Sequence, residues 1–359
     1  MKIVRIVSEL DFGGVEQVLA NSIPQIANQV GVEVSVIVLG KGGRVSQNLI
    51  NQGVSVHILN QNSKIPNIGL LRKLYKLIKN LKPDVIHCQG GEANFHGILA
   101  ASWANVPNII GEEIGIPNHH SYWKLIFKLV YTKATTIIAI SKAVKAKIID
   151  LGEVKEEKVK VIYNPIIEHQ STIDRRPSTK NFTFVSTCRL VPIKNLDCLI
   201  QVFAELVEEN EQREIRLEIV GDGSERVHLQ SLINQLNLNQ HVTLHGFQKD
   251  VYSFLAAADV FVIPSLSEGS SVSLAEAMSI GLPSIITKVG GAPEILGDSN
   301  SGFLIDPLNP LDLKTAMQTM LNISSKERKS MSKRAKLEAK RFSVDHYIKS
   351  LLNVYEFRF

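Results

Sequence analysis

The stretch "DVFVIPSLSEGSSVSLAEAMSIGLPSIIT" (residues 259–287) contains a complete strand, loop, helix and strand pattern. The runs "DVFVIP" and "PSIIT" at its two ends are short and rich in β-branched residues, which predicts buried strands. Between them, a loop of small residues leads into a segment of helical length that stops at a Gly-Leu-Pro turn. Strands separated by helices in this way favour a parallel sheet that is covered on both faces.

The same alternation extends along the whole chain of 359 residues, which is long enough for two hydrophobic cores. Strands are predicted at "KIVRIVS", "EVSVIVL", "VSVHIL", "DVIHCQ", "NIIGEE", "TTIIAIS" and "KVKVIY" in the first half, and at "FTFVST", "IRLEIVG", "VTLHGF", "DVFVIP", "PSIIT" and "GFLI" in the second. A segment rich in Pro, Ser, Thr and charge, residues 164–181, predicts a linker between the halves.

The predicted fold class is therefore α/β, with two Rossmann-like, doubly wound parallel-sheet domains that face each other across a cleft. We expect the first domain over residues 1–168 and the second over residues 180–342. In open sheets of this kind, ligands bind outside the carboxyl ends of the strands, so we expect the functional residues in the strand-to-helix loops.

The composition is typical of a soluble globular protein, with 44% hydrophobic and 21% charged residues. Its three cysteines form no metal-ligand spacing, and an odd, sparse count fits a reducing compartment. The opening "MKIVRIVSELDFGG" predicts a first strand rather than a signal peptide, and no apolar run is long enough to span a bilayer. We expect a cytoplasmic protein without a nucleic-acid partner.

The net charge of +5 is unevenly distributed along the chain. Residues 1–170 contain 19 Lys and Arg against 13 Asp and Glu, whereas the remaining residues are nearly balanced. Two basic segments contribute to this excess, "SKIPNIGLLRKLYKLIKNLKP" (63–83) and "SYWKLIFKLVYTK" (121–133), in which Trp123, Phe127 and Val130 alternate with lysines. They are interpreted either as helices that cover the sheet or as contacts to the anionic inner face of a membrane.

Two acids, Glu268 and Glu276, flank the loop and the helix start of the opening stretch. The Ser-x-x-Glu spacing of Ser273 and Glu276 fits a capping box, in which each side chain bonds a backbone N–H at the helix start. Alternatively, the N–H groups of a helix start made of small residues bind phosphate oxygens, and the glutamates hold neighbouring hydroxyls. Both interpretations stay open at this point.

Two cations, Arg189 and Lys194, follow the first predicted strand of the second domain in "STCRLVPIKN". Together they could neutralise a diphosphate, the arginine as a planar fork and the lysine as a point charge. Gly13 and Gly14 after the first strand of the chain would let a phosphate approach the backbone. The chain contains no Asp-x-Asp, and "VGDGSER" lacks the last glycine of the dinucleotide fingerprint, so we expect neither a metal clamp nor NAD.

The motifs "CRLVPIKN", "VGDGSER", "LHGF", "IPSLSEGSSVSLAEAMSIGLPSIITKVGGAPEIL" and "GFLI", with "FGGVEQVLAN", "DVIHCQG", "AISKAVK" and "VIYNPI" before them, resemble the retaining glycosyltransferases of family 4 (group 1). The resemblance covers essentially the whole chain and implies the GT-B fold, with the final helix in residues 343–359 crossing back to the first domain. It also implies metal-independent transfer of a sugar from a nucleotide-sugar donor.

Residue roles follow from this resemblance. Arg189 and Lys194 would bind the donor diphosphate, Glu276 the ribose, and Glu268 the donor sugar close to its anomeric carbon, so that Glu268, Arg189 and Lys194 would be the catalytic residues. The remaining donor-binding residues would be Gly13, Gly14, His245, Gly246, Phe247, Gly269, Ser270, Ser271, Val272 and Ser273, with the nucleobase near His245, Gly246 and Phe247.

The chain departs from the family after the fifth strand, where "NIIGEEIGIPNHH" replaces an expected Thr-x-His. Glu112, Glu113 and His119 are candidates for the acceptor side, although a plain surface loop fits equally well. His87 in "DVIHCQG" matches a recurrent family histidine, and a structural role at a strand is the alternative.

The prediction is a retaining glycosyltransferase that uses a UDP-sugar rather than a GDP-sugar. Its acceptor would be a glycan or a polyprenyl-diphosphate-linked glycan of a bacterial surface polysaccharide, and the enzyme would be peripheral on the inner face of the cell membrane. Two alternatives are a nucleotide-sugar epimerase of the same fold and a non-catalytic nucleotide-sugar-binding protein.

Overall fold

The computed structural model describes residues 1–11, 14–120, 122–166 and 181–356. The chain divides into two compact units, with Met1–Pro165 and Val344–Phe359 in unit 1 and Ile166–Ser343 in unit 2. Of the predicted linker, residues 167–180 lie outside the described residues.

Unit 1 contains a sheet of seven strands, all of them parallel to their neighbours. The strands are β1 (Lys2–Val7), β2 (Glu33–Val38), β3 (Ser55–Ile58), β4 (Val85–Gln89), β5 (Asn108–Glu113), β6 (Thr136–Ala139) and β7 (Val159–Val161). Six helices connect them: α1 (Gly14–Ala27), α2 (Arg44–Asn51), α3 (Ile68–Leu81), α4 (Gly91–Trp103), α5 (Tyr122–Thr132) and α6 (Lys142–Asp150).

Unit 2 repeats this plan with a sheet of six parallel strands. These are β8 (Phe182–Thr187), β9 (Ile215–Val220), β10 (Val242–Gly246), β11 (Val260–Ile263), β12 (Ser284–Thr287) and β13 (Gly302–Ile305). Its helices are α7 (Leu196–Glu208), α8 (Arg226–Gln235), α9 (Tyr252–Ala257), α10 (Val272–Ser279), α11 (Ala292–Leu296), α12 (Pro310–Asn322) and α13 (Ser325–Ala339). The thirteen predicted strands and the α/β class are thus confirmed.

The strands are apolar almost throughout because helices cover both faces of each sheet. In β1, Val4 and Ile6 pack into one core of unit 1, whereas Ile3 and Val7 pack into the core on the opposite face. This division follows the two-residue period of a strand.

Both sheets have a switch point, where the strand order reverses. The order is β3-β2-β1-β4-β5-β6-β7 in unit 1 and β10-β9-β8-β11-β12-β13 in unit 2. Successive connections leave β1 and β8 in opposite directions, which opens a crevice beside their carboxyl ends. In unit 2 that crevice lies between the loops that follow β8 and β11.

The last helix, α14 (Val344–Glu356), belongs to unit 1. Its apolar side chains Ile348 and Leu351 are buried in the same core as Ile3 of β1. The side-chain amide of Asn108 in β5 donates to the carbonyl oxygens of Val354 and Tyr355, at 3.2 and 3.0 Å. The sheet therefore holds this helix by both apolar and polar contacts.

Candidate functional site

The loop after β8 presents an unpaired cation. Arg189 is exposed, and its guanidinium has no hydrogen-bond or ion-pair partner within the residues that the structure describes. The backbone around it is held firmly: Leu190 N donates to the carbonyl oxygen of Asp222 at 2.9 Å. A Cβ added at Gly223 would come within 2.2 Å of the carbonyl oxygen of Leu190. The glycine-rich "VGDGSER" loop thus supports the Arg189 loop by close backbone packing.

A second cation, Lys194, is paired across the switch point. Its ammonium lies 2.5 Å from Oε1 of Glu268, which follows the neighbouring strand β11. Ser265 Oγ donates to the same oxygen at 3.0 Å, and Leu266 N donates to the carbonyl oxygen of Ile193 at 2.8 Å. Both side chains of the ion pair are largely buried. The pair therefore stands in the crevice where doubly wound sheets bind ligands.

The helix after Glu268 begins earlier than the capping-box interpretation requires. Helix α10 starts at Val272 with Ser271 as its N-cap residue, and no side chain of the described residues caps it. Ser273 is therefore the second residue of the helix rather than its cap, and the reciprocal pair with Glu276 is wrong. A Ser-x-x-Glu spacing does not specify where a helix begins, because the pattern also occurs inside helices.

The uncapped start of α10 leaves its first-turn N–H groups without intrahelical partners. The hydroxyl of Ser271 is buried and likewise has no hydrogen-bond partner among the described residues. A buried polar atom without a partner costs free energy, and a hydrogen bond to a ligand would remove that cost. Oxygens of a phosphate suit such a position because the helix N-terminus is electropositive.

Glu276 lies in the second turn of α10, where burial raises the pKa of its carboxyl to about 7. None of the residues that the structure describes donates a hydrogen bond to this carboxylate. Its charge also raises the pKa of the Tyr252 hydroxyl, a smaller contribution than that of burial. Two hydroxyl donors from a ligand would satisfy the carboxylate and favour its charged form.

The predicted nucleobase residues lie at the end of β10, an edge strand two positions from β8. His245 bonds Glu218 Oε2 through Nε2 at 2.5 Å, and its ring centroid lies 4.6 Å from that of Phe254. Gly246 has a φ of +70°, which an L side chain rarely adopts, and Phe247 is exposed. At about 4.8 Å per strand, this edge lies roughly 10 Å from β8.

Of the two glycines of the first loop, Gly13 lies outside the described residues. Gly14 is the first residue of α1, and an added Cβ there would meet no atom within 4 Å. Packing of the described residues therefore does not require a glycine at this position.

Two of the predicted acceptor-side residues, His87 and Glu112, are buried inside unit 1. His87 Nε2 lies 2.8 Å from Glu112 Oε2, and its Nδ1 bonds the Tyr355 hydroxyl of α14 at 2.8 Å. Arg5 donates to that hydroxyl at 3.2 Å. Neither His87 nor Glu112 is therefore accessible to an acceptor. The contacts of His87 fit the alternative interpretation of this residue, a structural role at a strand.

The charges of this cluster are mutually consistent. Burial, followed by the charge of Arg5, lowers the pKa of His87 to about 4, so its ring is neutral at pH 7. Burial alone would raise the pKa of Glu112, but the hydrogen bond from His87 and the charges around it hold the pKa below its usual value. The cluster fastens α14 to β1, β4 and β5.

Glu113 and His119 belong to a separate cluster at the end of β5. Glu113 is buried and accepts hydrogen bonds from the Tyr131 hydroxyl and from Asn94 Nδ2. The alternative of a surface loop is therefore wrong for Glu112 and Glu113, which are the last two residues of β5. His119 is half-buried and bonds Glu153, a residue that sequence reasoning missed because 34 positions separate the two.

Helix α5 has apolar residues on both its buried and its exposed side. Phe127 and Val130 are buried in the core, as the sheet-covering interpretation expects. The apolar residues that face away from the core are instead Tyr122, Leu125 and Leu129, which are 60%, 65% and 68% exposed. None of the helices within the described ranges is long and apolar enough to cross a bilayer.

The described residues contain a single group of potential metal ligands whose atoms lie within 4.8 Å of one another. It comprises Asp197, Glu225 and His228 at the starts of α7 and α8. His228 Nε2 bonds Asp197 Oδ2 at 2.5 Å, so an exposed ion pair already accounts for the contact. None of the three residues belongs to the Arg189–Glu268 crevice.

Solved structures with the same two-unit architecture define the class of this protein. Anabaena HepE in complex with UDP superposes with a TM-score of 0.84 at 24% identity, covering 98% of this chain and 99% of that one. The lipopolysaccharide outer core galactosyltransferase WaaB superposes with a TM-score of 0.78 at 21% identity, covering 99% of each chain. The fold is the GT-B fold of glycosyltransferases.

The sequence comparisons specify the family. Residues 12–169 match the model of Glycosyltransferase Family 4, and residues 170–338 match that of glycosyl transferases group 1. An Escherichia coli UDP-Gal:alpha-D-GlcNAc-diphosphoundecaprenol alpha-1,3-galactosyltransferase is 31% identical over 289 residues, 74% of each chain. A Campylobacter jejuni diphospho-undecaprenol 4-alpha-N-acetylgalactosaminyltransferase is 28% identical over 291 residues, 78% of this chain and 77% of that one. The chain therefore belongs to the group 1, family 4 glycosyltransferases and is a glycosyltransferase.

Proposed function

We propose that this enzyme transfers a sugar, with retention of configuration and without a metal, from a UDP-sugar to a polyprenyl-diphosphate-linked glycan of a bacterial surface polysaccharide. The named activities of the Escherichia coli and Campylobacter jejuni relatives support the lipid-linked acceptor, and the former uses UDP-galactose. HepE structures in complex with UDP and with UDP-glucose support the uridine donor. An epimerase or a purely binding protein is not favoured, because these relatives are transferases.

The observation that carries the proposal is the unpaired guanidinium of Arg189 in the same crevice as the Lys194–Glu268 pair. The donor diphosphate would receive hydrogen bonds from Arg189, from the backbone N–H groups of residues 269–273 and from the hydroxyl of Ser271. In this complex the donors would stabilise the negative charge that accumulates as the bond between the sugar and the phosphate breaks. The leaving phosphate would then accept the proton of the acceptor hydroxyl, so the mechanism needs no strong protein base.

The two glutamates would hold the sugars of the donor. Glu268 uses Oε1 for Lys194 and Ser265, and no described residue donates to its other oxygen, which is free for a hydroxyl of the transferred sugar. Lys194 would thus connect the diphosphate with the residue that orients the sugar. Glu276 would accept hydrogen bonds from the ribose hydroxyls, and His245, Gly246 and Phe247 would contact the base.

Unit 1 would bind the acceptor at the membrane surface through α5. Its exposed stripe of Tyr122, Leu125 and Leu129 is bordered by the exposed lysines Lys128 and Lys133. Exposed apolar residues beside lysines suit the boundary of an anionic bilayer, where the apolar groups enter the headgroup region and the ammonium groups meet lipid phosphates. A lipid-linked acceptor would then be bound where its lipid is anchored.

Vesicle sedimentation tests this part of the proposal. We expect binding to anionic phosphatidylglycerol vesicles and little binding to phosphatidylcholine vesicles. The assay uses low salt, because salt then screens the attraction between lysines and anionic lipids least. The double variant Leu125→Glu, Leu129→Glu should bind at least about tenfold more weakly, since two apolar groups no longer enter the bilayer. Leu337→Glu is the matched control, because Leu337 is 70% exposed on α13 of unit 2. If the double variant of α5 bound phosphatidylglycerol vesicles as tightly as Leu337→Glu does, the role of α5 would be refuted.

A thermal-shift panel tests the donor. A ligand that binds the folded chain raises its melting temperature, and the shift grows with the ratio of the ligand concentration to Kd. We expect UDP and UDP-sugars to stabilise the enzyme more than GDP does, with EDTA leaving both the shift and sugar transfer unchanged. A larger shift with GDP, or loss of transfer under EDTA, would contradict the proposal.

A further inference from the structure

The imidazole of His119 is held in place by two contacts. Its Nδ1 lies 2.9 Å from Oε1 of Glu153, and its ring stacks on Phe127 with centroids 4.1 Å apart and planes 6° from parallel. The first contact fixes the rotation of the ring and the second fixes its plane. The ring is therefore ordered although its side chain is only partly buried.

Glu153 is an unusual partner for a surface-facing ring because its carboxylate is fully buried. It lies in the turn after α6, and its second oxygen, Oε2, is buried with no partner among the described residues. A buried carboxylate that is incompletely paired costs folding free energy. Retaining one behind a positioned histidine is typical of functional sites, where a carboxylate orients the ring.

The carboxylate also decides which ring nitrogen is free. A proton on Nδ1 is held by Glu153, so in the neutral ring Nε2 carries the lone pair. Nε2 has no partner within the described part of the chain. Partial burial alone would lower the pKa of His119, but the hydrogen bond and charge of Glu153 and the charge of Glu113 raise it above its usual value.

The position of the ring suits a substrate of the first unit. His119 follows β5 at the carboxyl edge of the parallel sheet, the side on which such sheets bind ligands. Ile114, directly after β5, is an exposed apolar residue where the resemblance led us to expect a histidine. His119 also stacks on the inner face of α5, whose outer face we assigned to the membrane.

We propose that Nε2 of His119 accepts a hydrogen bond from a sugar hydroxyl of the acceptor, and that Glu153 is the positioning residue that holds the ring for this contact. The inference rests on the proposed function. A hydroxyl fits better than a phosphate here, because the buried carboxyls of Glu113 and Glu153 would repel an anion. The remaining ionisable group of the cluster, Tyr131, donates its hydroxyl to Glu113.

Steady-state kinetics with UDP-galactose and a prenyl-diphosphate-linked N-acetylglucosamine test the contact. We expect His119→Ala to lower kcat/KM for the acceptor by about 10- to 100-fold, the effect of one lost hydrogen bond from a positioned group, with KM for the donor unchanged. His120→Ala is the control, since His120 is the exposed neighbouring histidine and its ring bonds only the carbonyl oxygen of Asn118 among the described residues.

The pH profile tests the positioning role of Glu153. In Glu153→Gln, the acid limb of kcat/KM for the acceptor should move to lower pH, because the neutral amide no longer favours the charged ring. A residue that only supported the fold would not move this limb. If the variant does not fold, the kinetics of His119→Ala decide the question, provided that its melting temperature shows that this variant is folded.

The outcomes separate the two proposals. If the wild-type enzyme transfers sugar to this acceptor and His119→Ala matches it, or if the acid limb stays in place in a folded Glu153→Gln variant, the inference is overturned while the proposed function stands. If the wild-type enzyme neither binds the acceptor in calorimetry nor glycosylates it, the proposed function fails and the inference with it.

Discussion

Substitution of Arg189 should change turnover without changing the stability of the fold, because its guanidinium is exposed and has no partner among the described residues. Substitution of such a residue changes the free energy of unfolding by no more than about 0.5 kcal/mol. In the proposed complex, however, the guanidinium neutralises a diphosphate whose charge grows as the bond to the sugar breaks. The variant Arg189→Gln should therefore keep its stability and lose turnover.

The size of that loss follows from the surroundings of the side chain. Two unit charges 4 Å apart interact by about 1 kcal/mol in water and about 4 kcal/mol near a protein surface. Arg189 lies on an exposed loop beside a buried ion pair, so we expect a loss of about 2 to 4 kcal/mol in transition-state stabilisation. This corresponds to a decrease in kcat of roughly 30- to 1,000-fold. Arg189→Lys should lose less, since it keeps the charge but not the planar fork.

The assay is release of UDP from the UDP-sugar in the presence of acceptor, with thermal melting of each variant in parallel. Arg216→Gln is the matched control. Arg216 is a partly exposed arginine of the same unit, but it lies at the start of β9, at the opposite edge of the sheet from Arg189, and it pairs with Glu214. A variant at position 189 with wild-type kcat and unchanged UDP affinity would refute the diphosphate role. Equal losses at 189 and 216 would show that the effect is not specific to the site.

Four further predictions address the donor helix and the C-terminal helix. Because burial raises the pKa of Glu276 to about 7, its carboxyl is protonated below that pH; UDP-glucose should bind more tightly as pH rises through 7, and calorimetry should find this dependence absent in Glu276→Gln. The same raised pKa of Glu276 means that the unliganded fold loses stability as pH rises from about 4.5 to about 7. Melting curves of the wild-type protein and of Glu276→Gln, recorded across this pH range, test the effect. Ser271→Ala removes a buried hydroxyl without a partner, so we expect unchanged or slightly higher stability together with weaker UDP binding in the thermal-shift assay; a destabilised variant would contradict this. Tyr355→Phe leaves buried donor and acceptor atoms of Arg5 and His87 without a partner and should cost about 1–3 kcal/mol in urea unfolding; a cost near zero would show that the hydroxyl is not needed to hold α14.

The predicted strands were found because their signal is local. Buried parallel strands with both faces covered are apolar along their length, so β-branched runs such as "KIVRIVS" and "DVFVIP" identify β1 and β11 without reference to any other residue. The doubly wound class followed from the alternation of these runs with helices. The side chains that face each core follow from the two-residue period of a strand.

The errors arose where a local pattern has more than one structural solution. The spacing of Ser273 and Glu276 fits a capping box, but α10 begins at Val272, and only the folded backbone decides which serine precedes the helix. In α5, the sequence left open whether Phe127 and Val130 cover the sheet or face a membrane; the structure buries both and exposes Leu125 and Leu129 instead. Both alternatives are compatible with helical spacing, because the sheet and not the helix selects the buried face.

The sequence by itself determined the fold class, the loops that follow each strand and the residue types available to bind a diphosphate, since all of these depend on neighbours within a few positions. Only the tertiary structure decided which charges meet. Lys194 pairs with Glu268 across 74 residues, His119 with Glu153 across 34, and Arg5 with Tyr355 across 350. The physical reason is that a charge is paired by whatever the folded chain places within hydrogen-bond distance, and a linear pattern contains no distances between remote residues.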